Sequence, residues 1–597
     1  MKKLFLILFS IFFFTQVLGK GQILFLENKF NTIVVIPEQP TEEEKNAAQI
    51  FKQYGLAVMG IEVLIQKKGE GSMDGYKMRV YIGDFDHRTR NDNTDSVKDD
   101  GFRIVIDNGN VFITANRNTI GLTNGVYYFL EEFFGCRKYS SDNLYVPTKQ
   151  VIDLPVSFDR VINPTFSYRA VHFPEMYDKA YKDWNRIAFR DDIFGEVENY
   201  TTHTLSVLLP QQLFSRYPEY FALHKGKRTP DHPCLSHPEV YEIVKENLQK
   251  EIKRQPDKIY WSVSQPDNGS YCECDRCVKS YKAHGGSQQA TILPFVNKLA
   301  EAFPDKVLST LAYSYSVKTP KGIEPRENVN IMLCNYNMNR DIKQPYENRM
   351  DAFENLLNSW KMLTDNIIIW DYVVQYTHFV APYPNYYEFQ KNLQMYSSYG
   401  IVGVYAQGSG RHPSEFDELK SYLFSRLLWN VNVNSEEITR EFVYNYYGNA
   451  AKYVYNYINT LSASFLASNK NLRMMGSPLD GADSYLSYDK LLLYEKSITQ
   501  ALKTVSDQKI YADRVRKILL TLQYAILQIH REDYLNVTKG KKTSLKIKER
   551  YSRVSALNED KETQVRLKEF IENCNMLGIK YINNGGRTTK DYQEFFK

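Results

Sequence analysis

Beyond Phe14 the sequence has no apolar run approaching the roughly eighteen residues that a membrane-crossing helix needs. An integral membrane protein of the helical type is therefore excluded. Charge of one sign is missing too: 75 Lys and Arg against 70 Asp and Glu leave a net +5, spread along the chain with no basic block. Nucleic-acid binding is not indicated by that distribution. No internal repeat or low-complexity segment argues for a structural array. Cysteine is scarce, seven in 597 residues, yet four of the seven fall between Cys234 and Cys277. What is abundant is aromatic side chain, 14% of the chain with 45 Tyr and 33 Phe. Tyrosine pairs a flat apolar face with a hydroxyl, which suits sugar rings as well as ordinary cores.

A chain of 597 residues is too long for one core. Residues 1–19 have the form of a signal peptide: Met1-Lys2-Lys3, an apolar run from Leu4 to Phe14, and a small residue at Gly19. No cysteine follows to carry a lipid anchor. The expected location is outside the bacterial cytoplasm, in the periplasm, at the cell surface or beyond it. An oxidising compartment permits disulfides.

Residues 20–155 alternate strand and helix patterns and predict an α/β accessory domain. Thr32–Ile36, Met78–Ile82, Phe102–Ile106 and Val111–Thr114 read as strands, with Asn108-Gly109 as a hairpin turn. Thr41 and Glu44 form a capping box opening a helix to about Gln53. A second helix, about Thr119 to Phe134, takes Asn118 as cap. A Pro-punctuated linker is expected over Asp153–Pro164. From 156 to 434 strands and helices alternate at βα spacing, predicting a (β/α)₈ TIM barrel. Its strands are Tyr168–Phe173, His203–Leu209, Ile259–Ser264, Val307–Tyr313, Val329–Leu333, Ile367–Asp371 and Ile401–Tyr405, with Glu219–Leu223 as an eighth strand or an excursion. Ser236 and Glu239 predict a capping box for the helix from Pro238. From 435 to 597 only helical periodicity remains, with no catalytic constellation.

A barrel collects its chemistry at the carboxyl ends of its strands. There the sequence places Asp267, Asp371, Glu175 and His203 as candidate catalytic groups. Asp267 leads because Ser264-Gln-Pro-Asp-Asn-Gly269 resists any helix or strand reading. Asp371 follows, then Glu175, and His203 serves structure as readily as catalysis. Trp261, Trp370 and Tyr372 offer stacking faces, and Asn335, Asn337, Asn268 and Gln407 offer polar contacts to a sugar. A strand-end Asp is more often a turn residue than a catalyst, and a strand Trp is more often core. Two carboxylates in an aromatic mouth are what glycoside hydrolysis requires, one to give a proton and one as nucleophile, base or charge stabiliser. The thiols of Cys272-x-Cys274-x-x-Cys277, with Cys234, match either a structural zinc site or a disulfide arrangement. No cofactor is needed for the expected reaction.

Tyr217-Pro-Glu-Tyr-Phe-Ala-Leu223, Gly226-Lys-Arg228, Cys234-Leu-Ser236, Ser264-Gln-Pro-Asp-Asn268 and the three-cysteine motif together resemble the domain of unknown function 4838 family, part of which is glycoside hydrolase family 163. The resemblance covers about residues 20 to 435. It implies a TIM barrel behind an α/β domain like those of hexosaminidases and α-glucuronidases, secreted by glycan-degrading bacteria. It also implies endo-β-N-acetylglucosaminidase activity on complex N-glycans, with Asp267 and the cysteine motif as the positions carried over. Family 20 hexosaminidases place an Asp-Glu pair at a central strand end; here the step is Asp267-Asn268, so a second carboxylate has to come from another loop. The expected partner is an oligosaccharide or glycoprotein glycan. The alternatives are an exo-acting hexosaminidase or uronidase, or a non-catalytic glycan-binding barrel.

Overall fold

The computed structural model describes residues 22–25, 32–60, 62–83, 96–98, 100–116, 119–149, 151–188, 190–335, 346–538 and 561–596. The signal peptide, Asn118 and Asn337 lie outside the described residues. The chain divides into two compact units, 1–138 with 144–164 and 139–143 with 165–597.

The first unit holds a six-stranded mixed sheet. Its spatial order is Ser157–Ile162, Phe102–Asp107, Asn110–Ala115, Met78–Ile82, Thr32–Ile36, Leu64–Lys67. Asn108 and Gly109 turn the hairpin with φ of 48° and 84°, as a primed turn demands. Thr41 caps helix Glu42–Met59 in the expected box, accepting from the Glu44 amide and donating its own amide to Glu44 Oε2. Phe51 on this helix packs against Phe129 of helix Gly121–Glu132, ring centroids 5.7 Å apart. The expected linker is a correction. Val151–Leu154 and Ser157–Ile162 are strands, and the latter pairs antiparallel with Phe102–Asp107. Pro155 falls between the two strands, where it interrupts neither ladder, and Ser157–Ile162 forms an edge of the six-stranded sheet.

The second unit is built on seven parallel strands: β1 (Tyr168–His172), β2 (Phe194–Gly195), β3 (Tyr260–Ser262), β4 (Val307–Ala312), β5 (Val329–Cys334), β6 (Ile367–Tyr372) and β7 (Gly403–Gln407). Their spatial order is β1-β7-β6-β5-β4-β3-β2, the cyclic order of a barrel parted between β1 and β2. The sheet curls until Tyr168 on β1 and Phe194 on β2 meet, ring centroids 6.0 Å apart. At the same edge the Ala188 amide donates to the Arg169 carbonyl at 3.0 Å. β5 and β6 are buried at every residue, as strands covered on both faces by helices must be. Helices Pro238–Arg254, Gln289–Ala302, Tyr346–Lys361, Tyr386–Ser398 and Asp417–Trp429 alternate with the later strands.

Among the described residues this sheet has seven strands rather than eight. His203–Leu209 is not one of them. Leu205, Leu208 and Leu209 recur at helical spacing, and Leu205–Leu208 is a helical turn with those side chains buried. The second strand is instead the two-residue β2. Gly195 there has no side chain because the Trp261 ring occupies its place: a Cβ would lie 2.5 Å from Trp261 Cζ2. Glu219–Leu223 is the excursion, since Phe221–His224 pairs with Lys227–Pro233 in a separate antiparallel hairpin. Ser236 does not cap the following helix, whose N-cap is His237 with Pro238 at the first turn. Its hydroxyl lies 3.0 Å from Cys277 Sγ instead.

The rest of this unit is helical: Ser435–Tyr446, Ala451–Leu466, Tyr488–Thr504, Lys509–Thr538, Lys561–Met576 and Thr589–Glu594. Tyr457, Ile498, Leu522 and Ile526 from these helices join the same apolar core as Leu308, Ile331 and Ile369 of the sheet. No helix among the described residues is long and apolar enough to cross a membrane.

Candidate active site

A cleft of about 540 Å³ opens at the carboxyl ends of the parallel strands. β1 contributes His172, β4 Leu311, β5 Cys334, β6 Trp370 and Tyr372, and β7 Tyr405 and Gln407. The loops add Asn199–His203 after β2, Asp267 after β3, Tyr313 after β4 and Tyr376 after β6. Met474, Met475 and Asn584 complete it. These three come from the helical region that offered nothing in sequence. Their loops are held to the β6 loop by the main chain, Tyr376 N to Met474 O and Asn584 N to Tyr376 O, both 2.8 Å. No side-chain pattern in the sequence announces such a contact.

The aromatic wall is fixed. Trp370 Nε1 donates to Gln407 Oε1 at 2.7 Å, and the Trp370 and Tyr405 rings meet edge to face at 4.6 Å. Tyr376 donates its hydroxyl to the Gln407 carbonyl at 2.6 Å. Gly408 follows because a Cβ there would lie 2.5 Å from the His172 carbonyl. The His172 ring sits between two tyrosines, Nδ1 at 2.9 Å from the Tyr405 hydroxyl and Nε2 at 3.2 Å from that of Tyr177.

His203 is held in a left-handed conformation, φ 58°, with its amide donating to Ser264 Oγ at 2.8 Å. Its Nδ1 lies 2.6 Å from the Gln265 carbonyl. A carbonyl only accepts, so Nδ1 carries the hydrogen and Nε2 is left as the second proton site. Asp267 stands at the apex of a three-residue turn closed by Asn268 N to Pro266 O at 2.9 Å. It is exposed, and its carboxylate makes no hydrogen bond with the described residues. The loop beneath it is rigid: Gln265 is fully buried and donates to Ser316 Oγ at 2.6 Å.

The structure thus brings Asp267, His203, Trp370, Tyr372 and Gln407 together in one cleft and places the other candidates elsewhere. Strand alternation separates Asp371 from its neighbours, since Trp370 and Tyr372 face the cleft and Asp371 must face the other way. It is buried, accepting from Asn335 Nδ2 and, at 3.3 Å, from the Tyr396 hydroxyl. Asn335 leaves the cleft with it, one residue past Cys334. Trp261 is fully buried, donating to the Lys258 carbonyl at 3.2 Å. Asn268 turns back to the Asp231 carbonyl at 3.3 Å. Glu175 is buried under the Ser141 amide, with Glu418 and Lys517 near it. Burial, helped by the Glu418 charge, pushes its carboxyl up to about 7. It belongs to an internal charge cluster, not to the cleft.

Burial raises the Asp371 carboxyl from 3.8 to about 6, against the hydrogen bonds that favour its charged form. The folded state therefore holds this proton over a range where the unfolded chain has lost it. The stability that the proton confers is full at pH values below the unfolded pKa and is lost as pH rises through about 6. Asp371→Asn is expected to remove that slope. Urea unfolding of both proteins at about pH 4.5, 6 and 7.5 checks it.

Solved structures with a similar arrangement of elements include glycoside hydrolases. One is a family GH115 4-O-methyl-α-glucuronidase, BtGH115A, with specificity for decorated arabinogalactans. It superposes with a TM-score of 0.55 at 10% identity, covering 96% of this chain and 80% of that one. A family 89 glycoside hydrolase from Clostridium perfringens gives 0.49 at 11% identity, over 89% and 65% of the two chains. At these identities the likeness is one of fold. The family model described as Domain of unknown function (DUF4838) matches residues 138–459, and the chain belongs to that family. No curated protein matches the sequence.

Proposed function

We propose that this protein is an exported glycoside hydrolase that binds a glycan in the cleft and cleaves a β-N-acetylglucosaminide linkage. The observation that carries the reading is the cleft itself. It sets one exposed carboxylate, Asp267, and a histidine with a defined proton site, His203, among the aromatic faces of Trp370, Tyr372 and Tyr405 at the strand ends of a glycosidase-like fold. The substrate class rests on the sequence resemblance to family 163, and export on the N-terminal pattern. In a substrate carrying a 2-acetamido group, the acetamido carbonyl is the internal nucleophile and Asp267 orients it and stabilises the charge that develops. In this reading His203 Nε2 exchanges a proton with the leaving oxygen. His172, held by two tyrosine hydroxyls, lines the cleft beside Tyr405.

One observation favours a second reading. Among the described residues that line the cleft, Asp267 is the one carboxylate, whereas most glycosidases use a pair about 5 to 9.5 Å apart. A glycan-binding protein needs the aromatic wall and no such pair. Incubating the full chain with a panel of N-glycoproteins and mucins, with released glycans read by mass spectrometry, separates the two. Release of glycans with a new reducing-end N-acetylglucosamine is expected. Binding without release would replace hydrolysis by recognition.

A further inference from the structure

Four cysteines that play no part in the cleft converge behind the loop that carries Asp267. Cys234 follows the hairpin strand Lys227–Pro233, and Cys272, Cys274 and Cys277 lie between that loop and the first turn of helix Asp275–Ala283. Their four sulfurs all lie within 4.8 Å of one another, and all four side chains are buried. Cys234 Sγ is 3.7 Å from Cys274 Sγ and 3.9 Å from Cys277 Sγ. A disulfide needs about 2.05 Å, so these are separate thiols. A tetrahedron of sulfurs with metal bonds of about 2.3 Å has edges of about 3.8 Å. The 3.7 Å and 3.9 Å separations fit that figure.

We propose that Cys234, Cys272, Cys274 and Cys277 bind one structural zinc ion. Sulfur-only tetrahedral sites suit zinc, which closes all four positions and leaves none for a substrate. Each thiol gives up its proton as its zinc–sulfur bond forms, so binding releases four protons and leaves a dianionic centre. The surroundings are built for negative sulfur. The Leu223 amide points at Cys272 Sγ at 3.4 Å and the Ser236 hydroxyl lies 3.0 Å from Cys277 Sγ. Cys274 is the N-cap of helix Asp275–Ala283, and Cys277 lies in its first turn, where free amides favour anionic ligands. The metal joins three segments that secondary structure leaves separate: the hairpin, the Asp267 loop and the helix. Supporting contacts run alongside it, from Glu273 N to Leu223 O at 2.6 Å and from the Tyr281 hydroxyl to the Cys272 carbonyl at 2.9 Å. The inference is independent of the proposed reaction, because an inactive glycan-binding chain would hold the same ion.

The test is elemental analysis of the full chain purified from zinc-supplemented medium. One zinc per chain is expected in a colourless protein, falling to near none in Cys234→Ser and Cys277→Ser and unchanged in Cys136→Ser. Should the first two variants fail to fold, the wild-type chain reconstituted with cobalt is expected to show the intense charge-transfer and visible bands of a tetrahedral tetrathiolate. Iron in place of zinc would overturn the choice of metal. A metal-free chain whose mass is lower by four hydrogens, the signature of two disulfides, would overturn the site, as would four freely reactive thiols in a folded metal-free chain.

Discussion

Asp267→Asn is expected to lower glycan hydrolysis by about 10²- to 10⁴-fold, the range that positioned acid, base and charge-stabilising groups supply, with glycan affinity changed only a few-fold. The substitution keeps shape and removes charge. The site tolerates it structurally, because Asp267 is exposed at the tip of a turn whose own hydrogen bonds are main-chain, and its carboxylate has no partner among the described residues. A fall in kcat at nearly constant KM marks an interaction made in the transition state. Titration calorimetry with a non-cleaved glycan reports the binding arm separately. A variant that hydrolyses at the parental rate would remove Asp267 from the mechanism. Asp371→Asn is the matched control, a buried carboxylate lost from β6 on the face turned away from the cleft, and its activity at neutral pH is expected to stay within a few-fold of the parent.

The largest stability effect is expected at Lys420→Ala. Lys420 and Glu415 are each only 1% exposed, with Nζ 2.7 Å from Glu415 Oε2. Lys420 also donates to the Tyr383 carbonyl at 3.3 Å, and the Tyr386 hydroxyl hydrogen-bonds Glu415. The pair therefore ties the loop after β6 to the loop after β7, the two loops next to the aromatic wall. Removing one partner strands a buried charge, which costs about 3–5 kcal/mol. Burial raises the Glu415 carboxyl and the Lys420 charge opposes that rise. Without Lys420 the carboxyl protonates more readily, so the loss should shrink as pH falls. Denaturant unfolding at about pH 7.5 and about pH 5 would show it. The double variant Glu415→Gln, Lys420→Met, with no charge left to strand, should recover most of the loss; failure to recover would assign the effect to packing.

The parts of this molecule that the sequence made legible are those governed by local periodicity. Six of the seven parallel strands, the Thr41 capping box, the Asn108-Gly109 turn and the C-terminal helices all follow from spacing within about twenty residues. Asp267 reached the cleft for a similar reason, a polar turn directly after an apolar strand. Asp371 and Asn335 went astray although the signal was present. Side chains alternate along a strand, so Trp370, Asp371 and Tyr372 could not all face one way. β2 was hidden because two residues carry no period, and an apolar leucine run nearby resembled a strand. Met474, Met475 and Asn584 were hidden more deeply, since main-chain hydrogen bonds between distant loops leave no mark on residue type.

The parting of the sheet between β1 and β2 has a consequence in time. β1 is the earliest strand made, and its sheet neighbour is β7, the last: His172 touches Tyr405 across 233 positions of chain. At synthesis rates of about 5–20 residues per second, β1 waits roughly ten to fifty seconds for the strand that covers it. Through that interval it presents an apolar, unpaired edge, the kind that seeks another chain. Pairing so distant in sequence also folds slowly once the chain is complete. Holding the chain unfolded until all seven strands are present would suit this topology.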